Sequence, residues 1–178
     1  MFSRFIQLPM FHSKLPQLAL LLITIVWGAT FVVVKYGLTL SSPVLFVALR
    51  FAAAALAVTL ISWKSLKGVT SFELYAGAAI GLVIALGYGT QTTGLQSISS
   101  SESAFLTALY VPLVPILLWL LFAKKPHIMT WLGAALAFLG LVFLTGNGLG
   151  AISLNYGQIL TLLGSIAIAL EIILISYF

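Results

Sequence analysis

Two charged side chains, Arg50 and Glu171, lie inside long apolar stretches of this sequence. At ~1.5 Å per helical residue, Arg50 would lie roughly 10 Å from the start of its helix and Glu171 roughly 22 Å along another. An arginine well inside a bilayer costs roughly 2.5–3.5 kcal/mol, so it normally faces a cavity or a partner. Arg50 is therefore predicted either to anchor an anionic group of a solute or to have a structural role. In the structural alternative, its guanidinium binds carbonyls at a neighbouring helix end or extends to the membrane surface.

Glu171 also has two possible roles. Its depth differs from that of Arg50 by ~12 Å, which argues against a direct ion pair. Burial disfavours the charged form of a carboxyl group, so Glu171 can take up and release a proton during a transport cycle. The alternative is that Glu171 lies near the lipid headgroups and is simply solvated.

Polar side chains also cluster in residues 88–94, which read YGTQTTG within an apolar run. Such groups need partners in lipid, so they should face the protein interior. There they either line a cavity or hold helices together. Tyr110, Pro112 and Pro115 belong to a later apolar run. Prolines bend a spanning helix and free backbone carbonyls, so this helix either borders a pathway or is bent for structural reasons alone.

The elements that must position these residues are membrane-spanning helices. Of 178 residues, 62% are hydrophobic and only 6% are charged, whereas a soluble domain has about 25% charged residues. Because a span needs about 20 apolar residues, the sequence predicts an all-α transmembrane bundle of about six helices. The predicted spans are Leu15–Val34, Pro43 to about Trp63, Ser71 to about Gly94, the Ser97–Ser103 turn to Ala123, Ile128–Thr145 and Tyr156–Phe178.

The basic residues predict the orientation of the spans. With a cytoplasmic N-terminus, six of the eight Lys and Arg residues fall in inner segments, and the outer loops at about 36–42, 95–102 and 146–155 contain none. This distribution follows the positive-inside rule. Residues 1–14 would form a cytoplasmic tail, retained because the apolar run that follows is too long for a signal peptide. We expect a multi-pass protein of the plasma or inner membrane.

Two further expectations concern helix ends and packing. Lys35 should extend to the outer headgroups, close to Glu102, with which a gating ion pair is the alternative role. Small residues at helix spacing, in Ala52–Ala55 and at Gly133 with Ala137, favour close packing between helices.

Several classes of function are disfavoured by what the sequence lacks. There are no cysteines, and the scattered basic residues form no face for nucleic acid. No Ser/His/Asp set, metal-ligand cluster or phosphate-binding glycine loop lies in the spans. We therefore expect no enzyme activity, no cofactor, no metal and no nucleic-acid partner.

A weak internal repeat relates the first span to the last. At an offset of 141 residues, Gln17 aligns with Gln158 and Leu21 with Leu162. Five spans separate the two starts, so the second copy would insert upside down, as in the inverted repeats of transporters.

Four segments resemble the EamA-type branch of the drug/metabolite transporter superfamily. They read LITIVWGATFVVVK (22–35), PVLFVALRF (43–51), AFLTALYVPLVP (104–115) and WLGAALAFLGLVFLT (131–145). Residues 157–178 resemble the start of that family's second repeat. The resemblance covers essentially the whole chain after residue 15. It implies a fold of ten helices in two inverted five-helix repeats, and export of amino acids, other metabolites or drugs.

The resemblance also divides the chain. Residues 15–147 would form a first repeat, and 148–178 an outer loop and the first helix of an incomplete second repeat. Trp27, Arg50, Pro112 and Pro115 lie on positions of the family pattern. The Gly-Glu pair that usually precedes helix five is absent, since residues 123–126 read AKKP. About four helices of the family architecture are missing, so the chain is expected to be a fragment or to associate with a second chain, for example as a homodimer.

The sequence thus predicts a secondary transporter in the lipid bilayer, an exporter that moves a small metabolite, amino acid or drug-like solute by alternating access. The site is expected near the midplane between the repeats. Alternatives are a non-transporting membrane subunit or scaffold, or an inactive truncated product; a channel is disfavoured because no helix carries a repeated polar stripe. The residues predicted to line the solute site are Trp27, Thr30, Arg50, Tyr88, Gln91, Thr92, Tyr110 and Glu171.

Overall fold

The computed structural model describes residues 15–66, 68–145 and 154–178. Over these ranges the chain is helical, which confirms the predicted all-α transmembrane fold. The predicted tail 1–14, Lys67 and the glycine-rich segment 146–150 lie outside the described residues. The helices are α1 (Leu15–Gly37), α2 (Pro43–Leu66), α3 (Ser71–Leu95), α4 (Ser100–Ala108), α5 (Tyr110–Phe122), α6 (Ile128–Thr145) and α7 (Tyr156–Tyr177).

Five helical segments of the described chain are long and apolar enough to cross a membrane: α1, α2, α3, the α4–α5 rod and α7. In α6 the described apolar stretch is shorter, Ile128–Ala137. Large apolar side chains are exposed along these helices; Ile61, for example, is 85% exposed. Because apolar surface of this extent is rare on a water-soluble monomer, these faces contact lipid.

The helix boundaries follow from local sequence signals. Thr70 caps α3, since its side chain accepts a hydrogen bond from the Glu73 amide and the Glu73 carboxylate accepts one from the Thr70 amide at 2.7 Å. The fourth predicted span is divided at Leu109 into α4 and α5. The break lies next to Ala108, the residue four before Pro112, where a proline ring excludes a regular helical carbonyl. The helix is thus interrupted at one residue near the first of the two prolines, and the predicted bend stays a prediction.

The packing between α3 and α7 is the closest in the molecule's described part. The two helices are antiparallel, because Gly94 meets Gly157 near one end while Gly87 meets Gly164 further along. A Cβ atom added to Gly157 would lie 2.7 Å from the Gly94 carbonyl oxygen, and one added to Gly164 would lie 2.9 Å from the Gly87 oxygen. Glycine at these four positions therefore lets the two backbones touch, as small residues do between membrane helices.

The predicted close packing is wrong at Gly133 and at Ala54 and Ala55. A Cβ added to Gly133 would have no atom within 4 Å. Ala54 and Ala55 line an open groove instead of a tight interface. The physical reason is that a small residue permits a close approach without causing one, and at Ala54 and Ala55 a groove separates α2 from α3.

Lys35 binds the end of α3. Its ammonium group donates hydrogen bonds to the carbonyl oxygens of Leu95 at 2.6 Å, Gln96 at 2.9 Å and Ile98 at 2.8 Å. The last carbonyls of a helix lack helical partners and carry partial negative charge, so a cation is favoured there. The expected extension to the headgroups, and the alternative ion pair with Glu102, are both wrong. The helix continues to Gly37, which keeps Lys35 within α1 and facing α3.

Replacing Lys35 with methionine should destabilise the bundle. The change keeps an apolar stem but leaves the carbonyls at the end of α3 without their donor, and hydrogen bonds to a charged group contribute about 1.5–3 kcal/mol. We expect a loss of about 2 kcal/mol, or roughly 4–8 °C in Tm, measured by thermal unfolding in detergent. Lys64→Met, at an exposed position near the end of α2, is the matched control. Equal Tm values for the two variants would contradict a structural role for Lys35.

Candidate functional site

A small polar pocket lies where α1, α2 and α3 meet. Its volume is about 20 Å³, which is room for about one water molecule. Six of the eight residues predicted to line a solute site are on its wall. The lining residues are Trp27, Thr30, Phe31 and Val34 from α1, Arg50 from α2, and Tyr88, Gln91, Thr92 and Leu95 from α3.

Arg50 contacts aromatic faces in this pocket. Its guanidinium carbon lies 5.2 Å from the centre of the Tyr88 ring and 6.0 Å from that of Phe51. No carboxylate of the described residues lies within ion-pair distance of it. Cation–π contacts of this kind contribute about 0.5–2 kcal/mol and do not neutralise the charge. The alternative prediction for Arg50 was that it binds carbonyls at a neighbouring helix end. The carbonyls at the end of α3 are bound by Lys35 of α1.

Gln91 and Thr92 are buried on the α3 side of the pocket, at 9% and 4% exposure. The Gln91 amide donates to the Thr107 hydroxyl at 2.7 Å, and that hydroxyl donates to the Ser103 carbonyl at 2.7 Å. Gln91 thus joins α3 to α4 and also lines the pocket, so the two alternatives left open for this polar segment both apply to it. The Gln91 carbonyl oxygen is not engaged in this chain of hydrogen bonds and can accept one.

Trp27 and Thr30 form the α1 side of the site. The Thr30 hydroxyl donates to the Trp27 carbonyl at 2.6 Å, which leaves its oxygen lone pairs free to accept a hydrogen bond. The Trp27 ring lies 6.3 Å from the Tyr110 ring of α5, with 39° between their planes. Tyr110 therefore adjoins the pocket through Trp27 without lining it.

Glu171 stands apart from the other predicted residues. It is half-buried on α7 and lies within electrostatic range of Tyr88, as Arg50 and Tyr110 do. It makes no hydrogen bond or ion pair with any described residue, and thus no ion pair with Arg50. The structure brings six of the predicted residues together in one pocket and places Tyr110 beside it. Glu171 does not line this pocket. That these eight residues bind the solute stays a prediction.

Sequence reasoning missed several residues of this region. Phe31, Val34 and Leu95 supply apolar wall, and the signal was the helical spacing of Phe31 and Val34 from Trp27, which places them on one face. Ser103 was missed as well. It is fully buried, and its hydroxyl has no hydrogen-bond partner among the described residues.

The site combines one cation, aromatic faces and neutral hydrogen-bonding groups. Such a set suits an organic anion, because guanidinium pairs well with carboxylate, sulfonate or phosphate oxygens. Among the described residues, no group of three His, Cys, Asp or Glu side chains is placed to hold a metal ion.

Comparison with known proteins gives consistent matches. The model of the EamA-like transporter family matches residues 14–146. An uncharacterized transporter of Archaeoglobus fulgidus is 35% identical over 162 residues, which are 91% of this chain and 49% of that protein. The uncharacterized inner membrane transporter YedA of Escherichia coli is 33% identical over 163 residues, 88% of this chain and 52% of its own length. The uncharacterized transporter YvbV of Bacillus subtilis is 26% identical over 156 residues, 86% of this chain and 51% of YvbV.

The chain spans about half the length of these curated relatives. No solved structure matches it. The family model covers most of the chain, including every described helix from α1 to α6, and the named relatives are all transporters. This multi-pass membrane protein therefore belongs to the EamA-like transporter family.

Proposed function

We propose that this chain takes part in secondary-active transport of a small organic anion, by alternating access at the pocket around Arg50. The observation that carries the proposal is an arginine of a membrane-spanning helix, on the wall of the polar pocket, that has aromatic contacts but no carboxylate partner among the described residues. Placing a cation inside the membrane costs free energy, and such a cation normally has a functional role in a cavity or with a partner. The transporter names of the relatives support the same general activity.

The proposed roles follow from the positions of the side chains. Arg50 binds the anionic group, and Trp27 with Tyr110 packs against the body of the solute. Thr30 and Gln91 accept hydrogen bonds from it. A pocket of about 20 Å³ is too small for an organic solute. Transport then requires the helices around it to separate, first toward one side of the membrane and then toward the other.

Counterflow into proteoliposomes tests this proposal. The solute is radiolabelled butanesulfonate, a permanently charged anion that does not cross lipid unaided. We expect uptake into vesicles preloaded with unlabelled butanesulfonate and none into protein-free vesicles. Binding without uptake would instead favour a non-transporting membrane subunit.

Glu171 is the proposed coupling site for protons. The Glu171→Gln variant should lose uptake driven by a pH gradient by about tenfold or more while counterflow without a gradient continues, because an amide cannot carry the proton. Since a sulfonate stays ionised, any pH dependence comes from the protein. Glu102→Gln is the control, because it keeps an acceptor for Gln158, its hydrogen-bond partner at the start of α7. Unchanged gradient-driven uptake in Glu171→Gln would remove the coupling role.

We also propose the arrangement of the chain in the membrane. Residues 15–147 form a first five-helix repeat, which the family match to 14–146 supports, and α7 begins a second, inverted one. The printed name of YedA supports an inner membrane for this chain as well. The proposed cytoplasmic N-terminus rests on the distribution of Lys and Arg residues alone, and the proposed direction of transport is export.

Single cysteines test this orientation, because the sequence contains none of its own. On intact cells, a membrane-impermeant maleimide should label a cysteine placed at Ser42 and not one placed at Lys125, both exposed positions. The reverse pattern would invert the proposed topology.

A further inference from the structure

An apolar groove of about 960 Å³ runs between α2 and α3. Cβ atoms added to Gly77, Gly81 or Gly89 would meet nothing within 4 Å, so the α3 wall is open along three turns. Among the residues that the structure describes, no charged or hydrogen-bonding side chain lines the groove. Its walls are Val44, Val47, Ala48, Phe51, Ala54, Ala55 and Val58 from α2, and Gly77, Gly81, Ile84, Ala85 and Gly89 from α3.

The groove adjoins the polar pocket through one pair of rings. Phe51 lines the groove, and its ring meets the Tyr88 ring edge to face at 5.4 Å, with 78° between the planes. Tyr88 lines the polar pocket on the other side. The Arg50 guanidinium lies over both rings. The charge of Arg50 is therefore at the boundary between a polar pocket with room for one water and an apolar groove nearly fifty times larger.

The volumes of the groove and of the polar pocket, together with the charge of Arg50, favour one kind of solute. We propose that the solute is an amphipathic anion with a single apolar tail: its charged group binds Arg50, and its tail lies in the groove between α2 and α3. The inference rests on the proposed function and names the substrate class of the same site. The anionic group follows from the charge of Arg50, and the tail follows from the wholly apolar lining.

The groove also gives the tail a route to the site. Both helices expose apolar side chains to lipid, including Leu45 and Leu56 of α2 and Leu82 and Leu86 of α3. An amphipathic molecule dissolved in one leaflet can therefore reach the groove sideways, with its charged end at the depth of Arg50 near the outer third of α2. Moving the tail from lipid into an apolar groove costs little free energy. Selectivity among amphipathic molecules therefore comes from the charged group.

Matched ligands of one tail length test the proposal. The full chain is reconstituted in nanodiscs of zwitterionic phosphatidylcholine, and radiolabelled dodecanesulfonate is the probe. We expect saturable binding that unlabelled dodecanesulfonate displaces at least about 100-fold better than dodecyltrimethylammonium, because a second cation beside Arg50 is repelled. Dodecanol, which has the same tail without charge, should also compete poorly. Butanesulfonate should bind through its charged group alone, and more weakly.

Variants that fill the groove should weaken binding of the ligand's tail without affecting binding of its charged group. Gly81→Leu fills open space that the tail would occupy and should weaken dodecanesulfonate binding about tenfold, because the tail and the new side chain cannot share the groove, while butanesulfonate binding is unchanged. Ala55→Leu narrows the groove from α2 and should act alike, so the result does not depend on one variant. Gly133→Leu is the matched control, because that glycine is equally open and lines neither cavity.

The outcomes distinguish this inference from the proposed function. If neither groove variant weakens dodecanesulfonate, or if dodecyltrimethylammonium competes equally, the inference is overturned. Displacement of dodecanesulfonate by phosphatidylglycerol in the nanodisc would assign the groove to a resident lipid and would overturn it as well. Butanesulfonate binding that depends on Arg50 would leave the proposed function intact in each of these cases. If Arg50→Gln leaves butanesulfonate binding unchanged, the proposed function itself fails.

Discussion

Replacing Arg50 with glutamine should reduce butanesulfonate counterflow by at least about 100-fold, because a guanidinium can form two charge-assisted hydrogen bonds with a sulfonate, each contributing about 1.5–3 kcal/mol. Glutamine keeps a hydrogen-bond donor and comparable length but removes the charge. Arg50→Lys should retain part of the activity, about tenfold below the original. Lysine keeps the charge but lacks the planar guanidinium group, which can bind two oxygens at once and which contacts the face of the Tyr88 ring. The measurement is the initial rate of uptake into proteoliposomes.

The control for this pair of variants is Lys64→Gln. Lys64 is a second cation of the same helix, exposed near its other end and away from the pocket. Its rate should equal that of the unmodified chain. If Arg50→Gln transported at the same rate as Lys64→Gln, Arg50 would have only a structural role.

Placing a leucine at Gly157 should cause the largest loss of stability. A side chain there would overlap the Ser97 hydroxyl and lie 2.7 Å from the Gly94 carbonyl oxygen, so α3 and α7 would have to separate. Overpacking typically costs about 1–3 kcal/mol, and we expect the upper end because a backbone atom cannot rotate away as a side chain can. A loss of about 3 kcal/mol corresponds to roughly 6–12 °C in Tm.

Thermal unfolding in detergent measures this effect, with Gly133→Leu as the matched control. Gly133 has no neighbour near its Cβ position, so its variant should change Tm little. A Tm for Gly157→Leu equal to that of Gly133→Leu would show that α3 and α7 do not pack through their glycines in the membrane protein.

Much of the fold could be predicted from the sequence because a bilayer simplifies the physics. A span must be long, apolar and internally hydrogen-bonded, so apolar run length and caps such as Thr70 locate the helices. Helix partners could not be predicted in the same way. Gly81 and Gly94 belong to one helix, yet Gly81 faces an open groove and Gly94 touches α7. A small residue marks a face that permits close approach, and only the tertiary structure shows whether a helix arrives there.

The candidate site shows the same division. The cost of a charge inside a membrane indicated that Arg50 faces a cavity or a partner, whereas Lys35 was expected at the headgroups. Lys35 binds the carbonyl end of α3, a role that the sequence suggested as an alternative for Arg50. Arg50 instead contacts two aromatic faces. Gln91 could not be assigned to packing or to the pocket from sequence, since its buried amide takes part in both.

The central claim is that an organic anion occupies the pocket around Arg50 during transport, and protection of a cysteine inside that pocket tests it most directly. Thr30→Cys introduces one thiol into a chain without cysteine, at a partly exposed position of the pocket wall. A thiol-reactive probe is applied to proteoliposomes that transport butanesulfonate. We predict that butanesulfonate slows the labelling with half-maximal protection near the KM of transport. Labelling at the same rate with and without saturating butanesulfonate, while transport continues, would contradict the claim.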